Sequence, residues 1–146
     1  TGLGARTLVN DPELYPIRGQ LLKVAMDQAP TAVYTDDEGT NALAYIIPRS
    51  DGVILGGTTE QHQEREQTDP QTLQAIRQRC ERILPALKNA TIIDQYAGLR
   101  PARSQVRLEI DPQYPNLIHN YGHGGSGYTV CWGCAEAVKQ LIDNHQ

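Results

Sequence analysis

Phenylalanine is missing altogether from this chain of 146 residues, and tryptophan and methionine occur once each, at Trp132 and Met26. Seven tyrosines supply most of the aromatic surface. Basic residues form no run, and the net charge is -4. That argues against a nucleic-acid stripe or a basic membrane-surface helix, so neither nucleic acid nor membrane is expected as a partner. No apolar run approaches the length of a membrane span, and no signal-peptide pattern is present. There is no repeat, low-complexity tract or linker. Three cysteines, Cys80, Cys131 and Cys134, are an odd number and make no secreted disulfide framework. A reducing, cytoplasmic compartment is the expectation. The closing "LIDNHQ" carries no peroxisomal S-K-L signal. The opening "TGLGAR" has no initiator methionine and reads as the middle of a longer protein, so a fragment is expected. The length suits one domain with a core and is short for two.

What is present begins with short strands. "RGQLLKVAM" reads as a strand over about Gly19 to Met26, followed by "TAVYT", then "ALAYIIP" ended by Pro48, then "GVILGGT" broken by Gly56 and Gly57. Close spacing with Asp, Gly and Pro turns favours antiparallel pairing. The period then changes. Leu73, Ile76, Cys80, Ile83, Leu84 and Leu87 predict one apolar helix face over about Pro70 to Leu87, with Asp69 as N-cap and Pro70 first in the helix. "ATIIDQYAGLRP" and "QVRLEI" read as strands separated at "RPARS", and "NLIHNY" as the last strand. A helix from about Thr129 to Ile142 follows, with Ala135, Val138, Leu141 and Ile142 apolar. The class is α+β: a mixed, largely antiparallel sheet with two main helices.

"HNYGHGGSGYTVCWGC" matches two well-known patterns. Gly122, Gly124 and Gly127 spell G-x-G-x-x-G, but that fingerprint needs a β-α-β unit and an acidic residue about twenty positions on. Too little chain follows Gly127 for another strand, so this is not the first half of a dinucleotide fold. Two readings stay open: backbone N–H groups approaching an electron-rich ligand, or a purely structural turn. Cys131 and Cys134 spell C-x-x-C without a thioredoxin-like context, and two small buried residues beside Trp132 are the favoured reading. His119 and His123 sit on strand and loop with no third ligand, so no metal site is expected. In "GLRPARSQVRLE", Pro101 biases Arg100, at a strand end, to an extended backbone. A guanidinium held so offers a planar fork to a carboxylate. Taken alone, a surface arginine or one paired with Glu109 or Asp111 is the simpler reading.

"PIRGQLLKV", "YIIPRSDGVILGGT", "AGLRPARSQVRLE" and "NLIHNYGHGGSGYTVCWGCAEA", in this order and spacing, resemble the C-terminal part of the D-amino-acid oxidase and D-aspartate oxidase family from Thr1 to about Ile142. The resemblance implies FAD as a non-covalent cofactor. It implies oxidation of a D-amino acid substrate by hydride transfer, with oxygen as acceptor giving hydrogen peroxide, a 2-oxo acid and ammonia. It places the substrate carboxylate on Arg100 and Tyr45, the two residues that would carry catalysis by orientation, and the substrate amine on the Gly125 carbonyl. Flavin contacts fall on Thr1, Gly124, Gly125, Gly127, Tyr128 and Thr129. Residues 1–118 would then be the substrate-binding domain, and 119–146 the flavin-contacting loop and helix. The resemblance also implies a missing N-terminal dinucleotide-binding half, without which this chain would bind FAD weakly and oxidise nothing. A homodimer is the default assembly. Asn41 stands where vertebrate members carry a lid tyrosine, and Ser126 replaces a bulky aromatic, which implies a more open pocket. The other reading is a stand-alone domain that binds small carboxylates through Arg100 without chemistry.

Overall fold

The computed structural model describes residues 2–37 and 43–145. The elements run α1 (Ala5–Leu8), β1 (Tyr15–Ala25), β2 (Tyr34–Asp36), β3 (Ala44–Arg49), β4 (Gly52–Gly56), β5 (Glu60–Gln61), α2 (Pro70–Ile83), β6 (Thr91–Ile110), β7 (Ile118–His123) and α3 (Gly127–Asp143). They form an α+β fold in which the strand order is β2-β3-β4-β1-β6-β7, with β5 beside β1. The pairs β1–β4, β2–β3, β3–β4 and β6–β7 are all antiparallel. Among the described residues, no helix is long and apolar enough to cross a membrane.

The chain packs as two compact units, one of Arg18–Leu99 and one built from residues up to Ile17 with those from Arg100 onward. That division follows packing. The boundary at 118 and 119 expected above is one of role.

In the Arg18–Leu99 unit the core follows from periodicity. Strand residues two apart share a face, so β1 buries Leu22 and Val24, β3 buries Ala44 and Ile46, and β4 buries Val53 and Leu55. Helix α2 covers that face with Leu73, Ile76 and Cys80, all buried. Asp69 caps α2 as expected, its carboxylate accepting the Thr72 N–H at 2.8 Å. The helix stops at Ile83, short of the expected Leu87. Pro85 cannot continue it and forces Leu84 to an extended backbone (φ -130°, ψ 90°), after which Pro85–Asn89 make a separate 3-10 turn. Buried Arg18 donates to Glu60 at 2.9 Å and to the Gln67 carbonyl. Gln20 links Glu60 at 2.9 Å to the Asp69 N–H at 2.7 Å, tying the helix start to β1.

In the other unit the apolar core is small: Ala5, Leu14 and Tyr121, with Leu3 and Val9 against them. Two expectations are corrected here. The break at "RPARS" is absent, because β6 runs unbroken for 20 residues through Pro101–Ser104. A bulge absorbs the irregularity: between the pairs Ala102–His123 and Arg107–Tyr121, β6 advances further than β7. Arg100 therefore lies inside a strand and not at its end. Helix α3 begins at Gly127, two residues before the expected Thr129, because the glycine turn feeds directly into it.

Truncation of Ile76, fully buried beneath the sheet, is expected to cost about 3 kcal/mol. Urea denaturation of Ile76→Ala with an unchanged slope checks this; a loss under about 1 kcal/mol would mean that α2 does not close this core.

Candidate active site

The glycine stretch forms a tight reversal between β7 and α3. Gly122 and Gly124 have φ of +92° and +54°, in the region that side chains rarely adopt. Gly124–Ser126 make a 3-10 turn, and Ser126 gives α3 no side-chain cap. A Cβ added at Gly125 would meet nothing within 4 Å, so this turn presents bare backbone to open space. A Cβ on Gly124 would meet Ala102 at 3.5 Å and Ile17 at 3.7 Å. Gly124, Gly125, Gly127, Tyr128 and Thr129 are thus brought together in one turn and helix start. Tyr128 is 93% exposed. Thr1 and Asn41 lie outside the described residues.

Arg100 shares this unit. Ala102, two residues on and so on the same face of β6, pairs with His123 at the edge of the glycine turn. The register thereby sets the Arg100 strand beside the bare backbone. Arg100 is half-buried. Glu109 and Asp111, the carboxylates named for it above, pair with Arg107 at 2.8 and 3.4 Å.

Around Arg107 lies a charged network that the sequence did not announce. The Tyr121 hydroxyl donates to Asp11 at 2.7 Å and accepts from Arg107 at 3.0 Å. Arg103 pairs with Asp11 and with Glu13, each at 3.1 Å. His119 Nε2 lies 2.7 Å from Asp111, which also accepts the N–H groups of Gln113 and Tyr114. Burial pushes the Asp11 carboxyl up. The Tyr121 hydroxyl, the Glu13 N–H and the two guanidiniums outweigh that and hold it below the ordinary carboxylate value. Only long-range pairing, Asp11 to Tyr121, reveals this set; nothing in local spacing does.

The reading of Cys131 and Cys134 as two buried residues is overturned. Cys131 is exposed, Cys134 is half-buried with its Sγ 3.3 Å from His123 Nε2, and Trp132 is 86% exposed. Helix α3 has no buried residue among those described, so early helix positions face outward.

Tyr45 belongs to the Arg18–Leu99 unit. It alternates with buried Ala44 and Ile46 on β3, so it is on the sheet face away from α2. It sits across from Gly56 in the register. A Cβ on Gly56 would fall 2.0 Å from the Tyr45 ring and one on Gly57 2.8 Å, so the ring lies directly on glycine backbone. Gly56 and Gly57 thus do more than break the strand: they are the aromatic-facing glycines of a strand pair. Beside Tyr45 a groove of about 410 Å³ is lined by Ile47, Ile54, Tyr96 and the charged Lys23, Arg49 and Asp51. Lys23 pairs with Asp51 at 2.6 Å, and this bond holds the Asp51 carboxyl below its ordinary value. Beneath the sheet, burial pushes the Cys80 thiol up to about 11, with its Sγ 3.5 Å from the Tyr45 carbonyl. It is a structural thiol.

A family model described as FAD dependent oxidoreductase matches residues 1–141. A D-amino-acid oxidase of Rubrobacter xylanophilus is 46% identical over 143 residues, covering 97% of this chain and 44% of that protein. A D-aspartate oxidase of Homo sapiens is 37% identical over 147 residues, covering 97% and 42%. The chain thus spans less than half the length of these curated relatives. Among solved structures, a glycine oxidase from Geobacillus kaustophilus superposes with a TM-score of 0.83 at 20% identity, over 98% of this chain and 38% of that one. This likeness is one of fold.

The Asp11 network sets a pH dependence. The folded carboxyl lies below its unfolded value, so its stabilisation is full above about pH 4 and is lost as pH falls through the folded value. Asp11→Asn should destabilise the protein at pH 7 by about 3 kcal/mol and should flatten part of the acid loss seen in the parent. Urea curves at pH 7 and at pH 3 test this; equal acid sensitivity in both proteins would remove Asp11 from the linkage.

Proposed function

Because this chain belongs to the FAD-dependent oxidoreductase family, we propose that it is the substrate-side part of an enzyme that oxidises D-amino acids. The observation that carries this reading is the Ala102–His123 register, which sets the strand of Arg100 beside an open glycine turn. The identity to D-amino-acid oxidases along nearly the whole chain supports the substrate class.

The turn suits a flavin. It offers backbone without side chains at Gly125, next to an uncapped helix start where N–H groups point outward. In this reading Gly124, Gly125, Gly127, Tyr128 and Thr129 contact the cofactor, largely through backbone, and Thr1 contributes from the start of the chain. Residues 119–146 form the flavin-contacting loop and helix, and residues 1–118 the substrate side. Bound FAD would supply the hydride acceptor for the substrate α-hydrogen, with oxygen as the final acceptor and hydrogen peroxide, a 2-oxo acid and ammonia as the products of this reading.

The residues of this chain bind and orient. Arg100 offers two parallel N–H donors to the substrate carboxylate. The Tyr45 hydroxyl donates to the same group. The Gly125 carbonyl accepts from the amine. Fixing both ends of a small amino acid aims its Cα–H, and orientation of this kind is the protein's main contribution when a cofactor carries the chemistry. No side-chain base is required. The dinucleotide-binding half is supplied by chain beyond these residues, and the 146 residues by themselves turn over no substrate.

Anaerobic D-alanine should bleach the visible flavin absorbance of the intact protein, whereas the 146-residue chain mixed with FAD should show no bleaching. An intact protein whose flavin spectrum D-alanine and other D-amino acids leave unchanged would overturn the reading. Arg100→Ala should lower kcat/KM for D-alanine roughly a hundred-fold, about 3 kcal/mol, mostly through KM. An unchanged KM would take Arg100 out of the site.

A further inference from the structure

We propose that Arg79 is a positioning residue for Tyr45, holding from the α2 side of the sheet the two backbone segments that fix the tyrosine ring. This rests on the reading of Tyr45 as a carboxylate ligand.

Arg79 Nη2 donates to the Gly57 carbonyl at 3.0 Å, and its Nε donates to the Leu43 carbonyl at 3.3 Å. Leu43 stands two residues before Tyr45, and Gly57 is one of the two glycines beneath the ring. The Gly57 N–H donates to the same Leu43 carbonyl at 3.2 Å, which closes a small ring of bonds around one guanidinium. The next residue, Cys80, places its Sγ 3.5 Å from the Tyr45 carbonyl and 3.7 Å from that of Gly56. Two consecutive residues of α2 thus hold four carbonyls: those before, at and opposite Tyr45.

The bonds are directed at these segments and not at keeping α2 in place. Leu73, Ile76 and Cys80 already bury the face of the helix. Both partners of Arg79 are backbone carbonyls, and among the described residues no carboxylate pairs with it. The site is partly desolvated, which pushes the guanidinium down from its ordinary value, yet arginine keeps its charge and its rigid fork. A glycine pair is the backbone with the most freedom to move. Because the Tyr45 ring lies on that pair with no space to spare, displacement of the Gly57 peptide displaces the ring. A planar fork spanning two carbonyls removes that freedom; a point charge on a flexible stem does not.

The test is a double-mutant cycle on the intact protein, with D-alanine as the substrate probe. Arg79→Met should raise KM about tenfold with a smaller fall in kcat, because the Tyr45 contact to the carboxylate is loosened while the Arg100 fork still aims the Cα–H. Arg79→Lys, which reaches one carbonyl, should fall between. In a Tyr45→Phe background the same Arg79 substitutions should change KM by less than about twofold. Equal effects of Arg79→Met with and without the Tyr45 hydroxyl would overturn the inference and leave the Tyr45 reading standing. A Tyr45→Phe protein with unchanged KM would overturn the reading and the inference together. If Arg79→Met does not fold, Arg79→Lys carries the cycle with the same criteria.

Discussion

Helix α2 claims one face of the β1–β3–β4 sheet, and much of the functional arrangement follows from that claim. Strand periodicity leaves no choice once Ala44, Ile46, Leu22 and Leu55 are committed to the helix. Tyr45, Ile47, Lys23 and Ile54 must then face the other way, where a groove opens. A one-residue slip of β3 would bury the Tyr45 ring against Cys80 and expose Ile46. The apolar core thereby decides which face of β3 carries the Tyr45 ring.

The second unit solves its problem differently. Its apolar core is small, and charge pairing takes over part of the task of fixing β7 against β6 and the N-terminal segment. Tyr121 is the hinge of this arrangement: its ring is buried with Ala5 and Leu14, and its hydroxyl lies between Asp11 and Arg107. One residue further begins the glycine turn. A network of several mutually paired groups favours one placement of the strand that leads into the turn. The bulge in β6 has the same effect. It lets Ala102 pair with His123 although the strands fall out of step before Arg107.

Much of this was legible in the chain itself. Asp69 followed by proline and a 3.6-residue apolar period named α2 and its buried face. The combination of "GLRP" with the glycine stretch named the family. What was not legible has specific causes. The continuity of β6 depends on a bulge, and a bulge is settled by the partner strand, whose register no local pattern carries. The charged network joins residues about a hundred positions apart. Pro85, read correctly, would have ended α2 four residues earlier, but the apolar spacing through Leu87 continued past it because a 3-10 turn happens to return Leu87 to the same core. Cys131 and Cys134 depart from the expectation because small apolar residues on a helix are usually inside, and α3 offers no inside among the described residues.

That last feature has a spectroscopic consequence. Trp132 is the only tryptophan of the sequence and stands on α3, 86% exposed, one turn after the glycine stretch. No other indole contributes to emission from this chain. Excited where tyrosine does not absorb, the fluorescence of the 146 residues is therefore a single-site signal from α3, red-shifted while the indole is in water and moving to the blue as any surface covers it. Nature has left a built-in probe at the helix that begins where the cofactor is proposed to lie.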